Sequence, residues 1–401
     1  MFLSNISVAA AQAAIDKHIQ PMPVVSRSLH ELGGSVLAES IYMERDQPPF
    51  DRVAMDGIAL SSQWNRQASE GLLIAGTQPA GSAPLTLPSS SHCIEIMTGA
   101  HLPEQCDCVI PVEKLRIENN KAFISDDVII TPWLNVHRRG SDARKGDEIL
   151  KPGALLRSVD IAVIASAGYA QVKVHAAPKV AVISTGDELI EPGNPIEDWQ
   201  IRRSNSYALL SALGKIGLPA TDVHLKDQPD QLRTRLSSLM DEHDVLILSG
   251  GVSAGRFDFI PQVLNDIGVR TVFHKVLQRP GRPMWFGVRD DNKTVFALPG
   301  NPVSVLMCMY RYVMRGLARA MGMTTVAPAS AKLVGNFVAH PSLTTFVPVV
   351  LERRTATIKA RRNPLNGSGD LVSLLATDGF IELPPSELPI NSNTNVPLYC
   401  W

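Results

Sequence analysis

KVAVIST (179–185), SNSYALLSALGKIG (204–217), ATDVHL (220–225), QPDQLRTRLSSLMDE (228–242), DVLILSGG (244–251) and FDFIPQVLNDIG (257–268) follow one another with little chain between them. Short β-branched runs alternate with helix-length segments, which is how repeated βαβ units on a parallel sheet read in sequence. The pattern predicts a central doubly wound α/β domain with a mostly parallel sheet. Strand-like PMWFGV (283–288) and TVFALPG (294–300) extend it, and the apolar NPVSVLMCMYRYVMRGLARAMG (301–322) closes it as a helix with Pro302 in its first turn.

Working outward, the preceding residues 1–176 change periodicity often. A helix is expected over 7–19, where a serine caps an alanine-rich run. Dense Gly, Pro and Ser signals within about 60–145 predict an inserted β-rich lobe, and a second helix begins at Ser158. The α/β domain is expected over 177–325. A small β domain is expected over 326–401, from ASAKLVGNFVAH, TTFVPVVLE, TATIKARR and GSGDLVSLLATDGFIELP.

A chain of 401 residues is long enough for two or three cores. With 38 basic and 39 acidic residues the net charge is -1, so no global field recruits nucleic acid or a membrane surface, and any anion site must be local. No signal peptide or membrane-length apolar run is evident, so a cytoplasmic protein is expected. Five cysteines without a CxxC pair argue against a disulfide framework. Cys106 and Cys108, two apart, are expected on one side of a strand, as small core residues or as part of a metal site.

Three segments fall at carboxyl ends of predicted strands, where an open α/β sheet binds ligands: STGDELIEPG (184–193), SGGVSAGRFDF (249–259) and LPGNP (298–302). Their glycines permit close backbone approach, as a phosphate requires. Asp187, Glu188 and Asp258 add carboxylates, and carboxylates beside a phosphate site imply a bridging Mg2+. The residues alone support a metal-dependent binder of a phosphorylated small molecule.

PPFDRVAMDGIAL (48–60), IMTGAHLPEQCDCVIPVE (96–113), RRGSDARKGDEIL (138–150), IRRSNSYAL (201–209) and GSGDLVSLL (367–375), with the three segments above, occur in one order. Together they resemble the molybdopterin molybdenumtransferases, the family of MoeA and the gephyrin E domain. The resemblance implies insertion of molybdenum from molybdate into adenylylated molybdopterin, with Mg2+-dependent release of AMP. It implies a homodimer whose active site uses the N-terminal region of a second subunit, and a molybdopterin adenylyltransferase as upstream partner. Asp56, Thr98, Asp142, Glu188, Asp227 and Asp258 match positions tied to activity, with Glu188 and Asp258 as metal ligands. Gly250, Gly251, Ser253 and Gly255 are implied to hold the terminal phosphate, beside Pro299, Gly300, Asn301 and Pro302. Ser304 either bonds a phosphate or faces solvent. Ser373 is a further candidate contact. The place of Arg256 stays open, near the nucleotide or on the solvated face of a turn.

The chain departs from the family in RPGRP (279–283), where Arg279 and Arg282 replace lysines, and at Leu343 and Pro348, which replace arginines. Arg353, Arg354, Arg361 and Arg362 are close in sequence and are candidates to compensate. Those departures leave a tungstate-preferring enzyme and a non-catalytic scaffold as alternatives. The adenylyltransferase step is a third, opposed by the N-terminal and C-terminal motifs.

Overall fold

The structure is a computed structural model, which describes residues 2–64, 71–251, 259–324, 327–353 and 357–401. Ser253, Gly255, Arg256, Asp258 and Arg354 lie outside the described residues. The chain forms two compact units, one of residues 1–39, 152–157 and 171–401, the other of residues 40–151 and 158–170.

The first unit is built on a seven-stranded sheet, ordered Leu3–Ile6, Arg270–Val276, Trp285–Val288, Thr294–Leu298, Val245–Ser249, Val180–Thr185 and Ala220–Leu225. Trp285–Val288 runs antiparallel to both neighbours, and every other pairing is parallel. The central strands are apolar on both faces because both faces are covered. Val180 and Val182 enter one core with Val245 and Ile247, while Ala181 and Ile183 enter another with Leu246 and Leu248, the two-residue period of a strand. Helices Val8–His18 and Ser204–Lys215 pack into the first core. Pro229–Glu242 and Ile260–Asp266 pack into the second, the former through Leu232, Leu236, Leu239 and Met240.

The expected single helix over 301–322 is interrupted. Pro302–Cys308 and Met314–Ala320 flank a π-helical turn, Met309–Val313, which carries the buried Arg311 and Tyr312. Such turns inside helices are rare and frequently lie at functional sites. Here Tyr312 donates its hydroxyl to Gln278, next to RPGRP.

The N-terminal helix is capped as its sequence suggests. Ser7 Oγ accepts from the Ala10 amide at 3.1 Å, and Ile19 closes the other end. Ser7→Ala is expected to cost about 1 kcal/mol, read as a lower midpoint with unchanged slope in denaturant unfolding.

In the same unit the C-terminal strands close on themselves. Thr344–Glu352 pairs with Lys359–Arg362 and with Gly379–Leu383, and Ala329–Val334 and Asn395–Cys400 complete the ring. The barrel has its own core of Leu333, Val349, Ile381 and Leu398 among others, and closure removes free strand edges. One short strand from the central region, Gln278–Arg279, pairs in parallel with Thr344 and Thr345.

The second unit holds a six-stranded sheet, ordered Cys108–Pro111, Gly57–Leu60, His92–Ile96, Leu72–Gln78, Lys121–Ile124 and Leu115–Glu118. Cys106 and Cys108 do not share a side, because Cys106 precedes the strand and packs in a different cluster from Cys108. All five cysteines are free, and no metal-binding cluster of three ligands occurs among the described residues.

Candidate active site

The carboxyl ends of Val180–Thr185, Val245–Ser249 and Thr294–Leu298 release three loops that wall a cavity of about 1240 Å³. Thr185, Gly186 and Glu188 come from the first loop, Gly250 and Gly251 from the second, and Pro299, Gly300 and Asn301 from the third. RPGRP and residues of the C-terminal barrel form the rest of the wall, and Asp227 also lines it.

Gly250 and Gly251 take φ of 99° and 68°, so the chain turns away from the strand with a backbone that L side chains rarely adopt. A Cβ on Gly251 would lie 2.6 Å from the Ile260 side chain. Beside these glycines, Thr185 Oγ1 is buried with no hydrogen-bond partner among the described residues. A phosphate oxygen seated on the loop would satisfy it. Asn301 caps the helix that starts at Pro302, and its side chain donates to Ser368 Oγ at 2.7 Å. Pro302 begins that helix and is not itself among the lining residues. Ser304 lines the cavity while 2 % exposed, so the solvent-facing alternative does not hold.

Glu188 folds back over Gly186, whose φ is 142°, so that a Cβ there would meet the carboxylate at 2.6 Å. Glycine at 186 is what lets the acid occupy this place. The loop beyond Glu188 is tied down by Arg203, which is 8 % exposed. Its Nε donates to Ser184 Oγ at 3.0 Å, and its two terminal nitrogens reach Glu191 and Asp222. Tyr207 donates to the other oxygen of Glu191, and this bond, together with Arg203, holds the Glu191 carboxyl below its usual range.

RPGRP is fixed from beneath. Gln278, 1 % exposed, donates to the Gly281 carbonyl at 3.0 Å and accepts from Tyr312. Arg282 donates to the Asn5 side chain at 2.9 Å. Leu343 and Pro348 line the cavity, as does Arg362. Arg353 does not line it, and Arg361 is ion-paired to Glu352. Ser373 is not among the lining residues, and its hydroxyl donates to Asp370 at 2.6 Å.

Asp56, Thr98 and Asp142 belong to the second unit. Gly57 registers with Ile96 in antiparallel strands, which brings the flanking Asp56 and Thr98 together. Asp56 Oδ1 accepts from the Thr98 amide at 2.6 Å and from its hydroxyl at 2.8 Å, and those two bonds, amide first, hold the carboxyl below its ordinary value. That stabilisation is present above the unfolded-chain pKa and is lost as pH falls through the lowered one. Thr98→Val removes the hydroxyl bond and keeps the amide, so Asp56 is expected to titrate at higher pH, followed by carboxyl carbon NMR. Asp142 is paired with His137 Nε2 at 2.8 Å.

Sequence reasoning missed Thr185, Gln278 and Tyr312. An apolar strand ending in threonine carries no signal of an orphaned hydroxyl, and the Tyr312–Gln278 bond spans two distant segments.

Residues 6–168 match the MoeA N-terminal region (domain I and II), 181–319 the probable molybdopterin binding domain, and 330–401 the MoeA C-terminal region (domain IV). A molybdopterin molybdenumtransferase of a Synechocystis strain is 38% identical over 399 residues, covering 99% of this chain and 100% of the relative. The chain belongs to the MoeA family of molybdopterin molybdenumtransferases. The namesake from Haemophilus influenzae is 35% identical, covering 77% of each chain. A crystal structure of the MoeA protein from Pyrococcus horikoshii superposes with a TM-score of 0.80 at 28% identity, covering 99% of this chain and 100% of the other. The family match accounts for the multidomain layout, including the central α/β sheet and the C-terminal barrel. No helix among the described residues is long and apolar enough to cross a membrane.

Proposed function

We propose that the chain inserts molybdenum from molybdate into adenylylated molybdopterin and releases AMP, a step of molybdenum cofactor biosynthesis. The observation that carries this reading is one cavity holding a glycine loop beside an orphaned hydroxyl, two carboxylates and a set of arginines. The loop Gly250–Gly251, with Asn301 beside it, suits the pterin's terminal phosphate.

Glu188 and Asp227 suit a Mg2+ ion, which binds through one or two carboxylates and substrate phosphates while keeping several waters. Bound there, the ion would supply positive charge to the phosphoanhydride oxygens. In the reaction water adds to phosphorus, the P–O–P bridge opens, AMP leaves, and the pterin phosphate stays on the glycine loop. Glu188 and Asp227 order the water and the anhydride, and the cavity wall holds the oxyanion near the pterin sulfurs. Asp56, Thr98 and Asp142 are assigned to the same activity, with the working form a homodimer supplied by a molybdopterin adenylyltransferase. Asp258, Ser253 and Gly255 complete the phosphate and metal residues of this reading.

The names of the relatives favour molybdate insertion over the tungstate and scaffold alternatives. Purified protein given adenylylated molybdopterin, Mg2+ and molybdate is expected to release AMP in step with cofactor able to reconstitute a cofactor-free molybdoenzyme. Substrate binding without AMP release would defeat the reading. Light scattering during the assay reads the dimer.

A further inference from the structure

We propose that Arg362, on the C-terminal barrel, binds the tetrahedral oxyanion substrate together with Arg279 and Arg282. This rests on the transferase reading above and names the residue that adapts its oxyanion site.

Several arginines elsewhere in this unit have acidic partners: Arg203 with Glu191 and Asp222, Arg289 with Asp241, Arg311 with Glu382, Arg315 with Asp16. Arg279, Arg282 and Arg362 line one cavity, and none of them forms an ion pair among the described residues. Three uncompensated guanidiniums around one concavity form a site for an anion of more than one charge.

Strand register puts two of them within reach of one ligand. Thr345 pairs with Leu383 on one edge of its strand, so Arg279, its other partner, lies on the opposite edge. Val349 pairs with Gly379 on that first edge, so Arg362 also lies on the opposite edge. Arg279 and Arg362 thus flank one stretch of strand edge, at positions four residues apart that share a face, about 13 Å between backbones at ~3.3 Å per residue. Two arginine side chains extended toward each other, with an oxyanion between them, fill such a gap. The intervening Val347 and Pro348 line the cavity and offer no charge, and the Pro348 carbonyl is taken by the Asn363 amide at 2.9 Å. Arg361, the next residue along, is spent on Glu352. A planar guanidinium engages two oxygens at once, and its charge does not titrate in the working range.

The test compares wild type with Arg362→Gln, Arg362→Lys and Arg361→Gln, reading AMP release against molybdate concentration, and molybdate binding by calorimetry. For Arg362→Gln the half-saturating molybdate concentration is expected to rise at least tenfold. The rate at saturating molybdate and the KM for adenylylated molybdopterin should stay within about twofold. Arg362→Lys should recover part of the loss, and Arg361→Gln should match wild type. A molybdate dependence for Arg362→Gln within twofold of wild type would overturn the assignment while leaving the transferase reading intact. No AMP release by wild type would remove that reading, and calorimetry with molybdate alone would still read Arg362. If Arg362→Gln fails to fold, an unchanged molybdate affinity in Arg362→Lys overturns the assignment, because a single ammonium cannot reproduce the fork.

Discussion

Glu188→Gln is expected to lower the rate of AMP release by roughly 10²–10³ at saturating substrate, the scale for removing one preorganised electrostatic group from an enclosed site. The substitution keeps the shape of the side chain that folds over Gly186 and removes only its charge. Binding of adenylylated molybdopterin should therefore change little, since the glycine loop and Asn301 are untouched, and the loss should sit in kcat. The Mg2+ concentration for half-maximal rate should rise as well, because one of two described carboxylates in the cavity has lost its charge. A kcat within tenfold of wild type would place Glu188 outside the chemistry. The companion Gly186→Ala should resemble it: its methyl would press on the carboxylate, in a backbone conformation that alanine rarely adopts.

Much of this site is legible in sequence, for a local reason. The strands 180–185 and 245–249 open with the apolar runs Val180–Ile183 and Val245–Leu248 because both faces are buried, and the glycines that follow the strands mark where backbone meets ligand. Glu188 and Gly250 could be placed by counting from a strand end. Residues whose place depends on distant pairing could not. Arg279 faces the barrel because Gln278–Arg279 adds to a strand beginning at Thr344, and no periodicity near 279 reports it. Strand Leu3–Ile6 is likewise an edge of the central sheet through its pairing with Arg270–Val276. Alternation predicted one side for Cys106 and Cys108, and it failed because the strand starts only at Cys108. Ser373 reads as a ligand contact by motif, yet its hydroxyl and amide are both engaged by Asp370, which they hold in its anionic form.

Arg203→Met is expected to destabilise the first unit by about 1.5–3 kcal/mol and to slow AMP release beyond what stability explains. The guanidinium is buried, but Glu191 and Asp222 are 39% and 31% exposed at their side chains, so both carboxylates rehydrate when it is removed. The cost should thus sit near that of charged hydrogen bonds and below that of stranding a buried ion. The effect on rate follows from connectivity. Arg203 bonds Ser184 within the strand, and Glu191 three residues beyond Glu188, so it sets where the intervening loop lies over the cavity. Tyr207→Phe is a milder probe of the same clamp, since it takes one bond from Glu191 and leaves Arg203 in place. Denaturant unfolding gives the first quantity, and kcat measured well below the unfolding midpoint gives the second. A double-mutant cycle of Arg203→Met with Glu191→Gln then tests the link: if the clamp acts through Glu191, the two losses in kcat overlap, whereas additive losses would mean that Arg203 acts on the rate independently of Glu191.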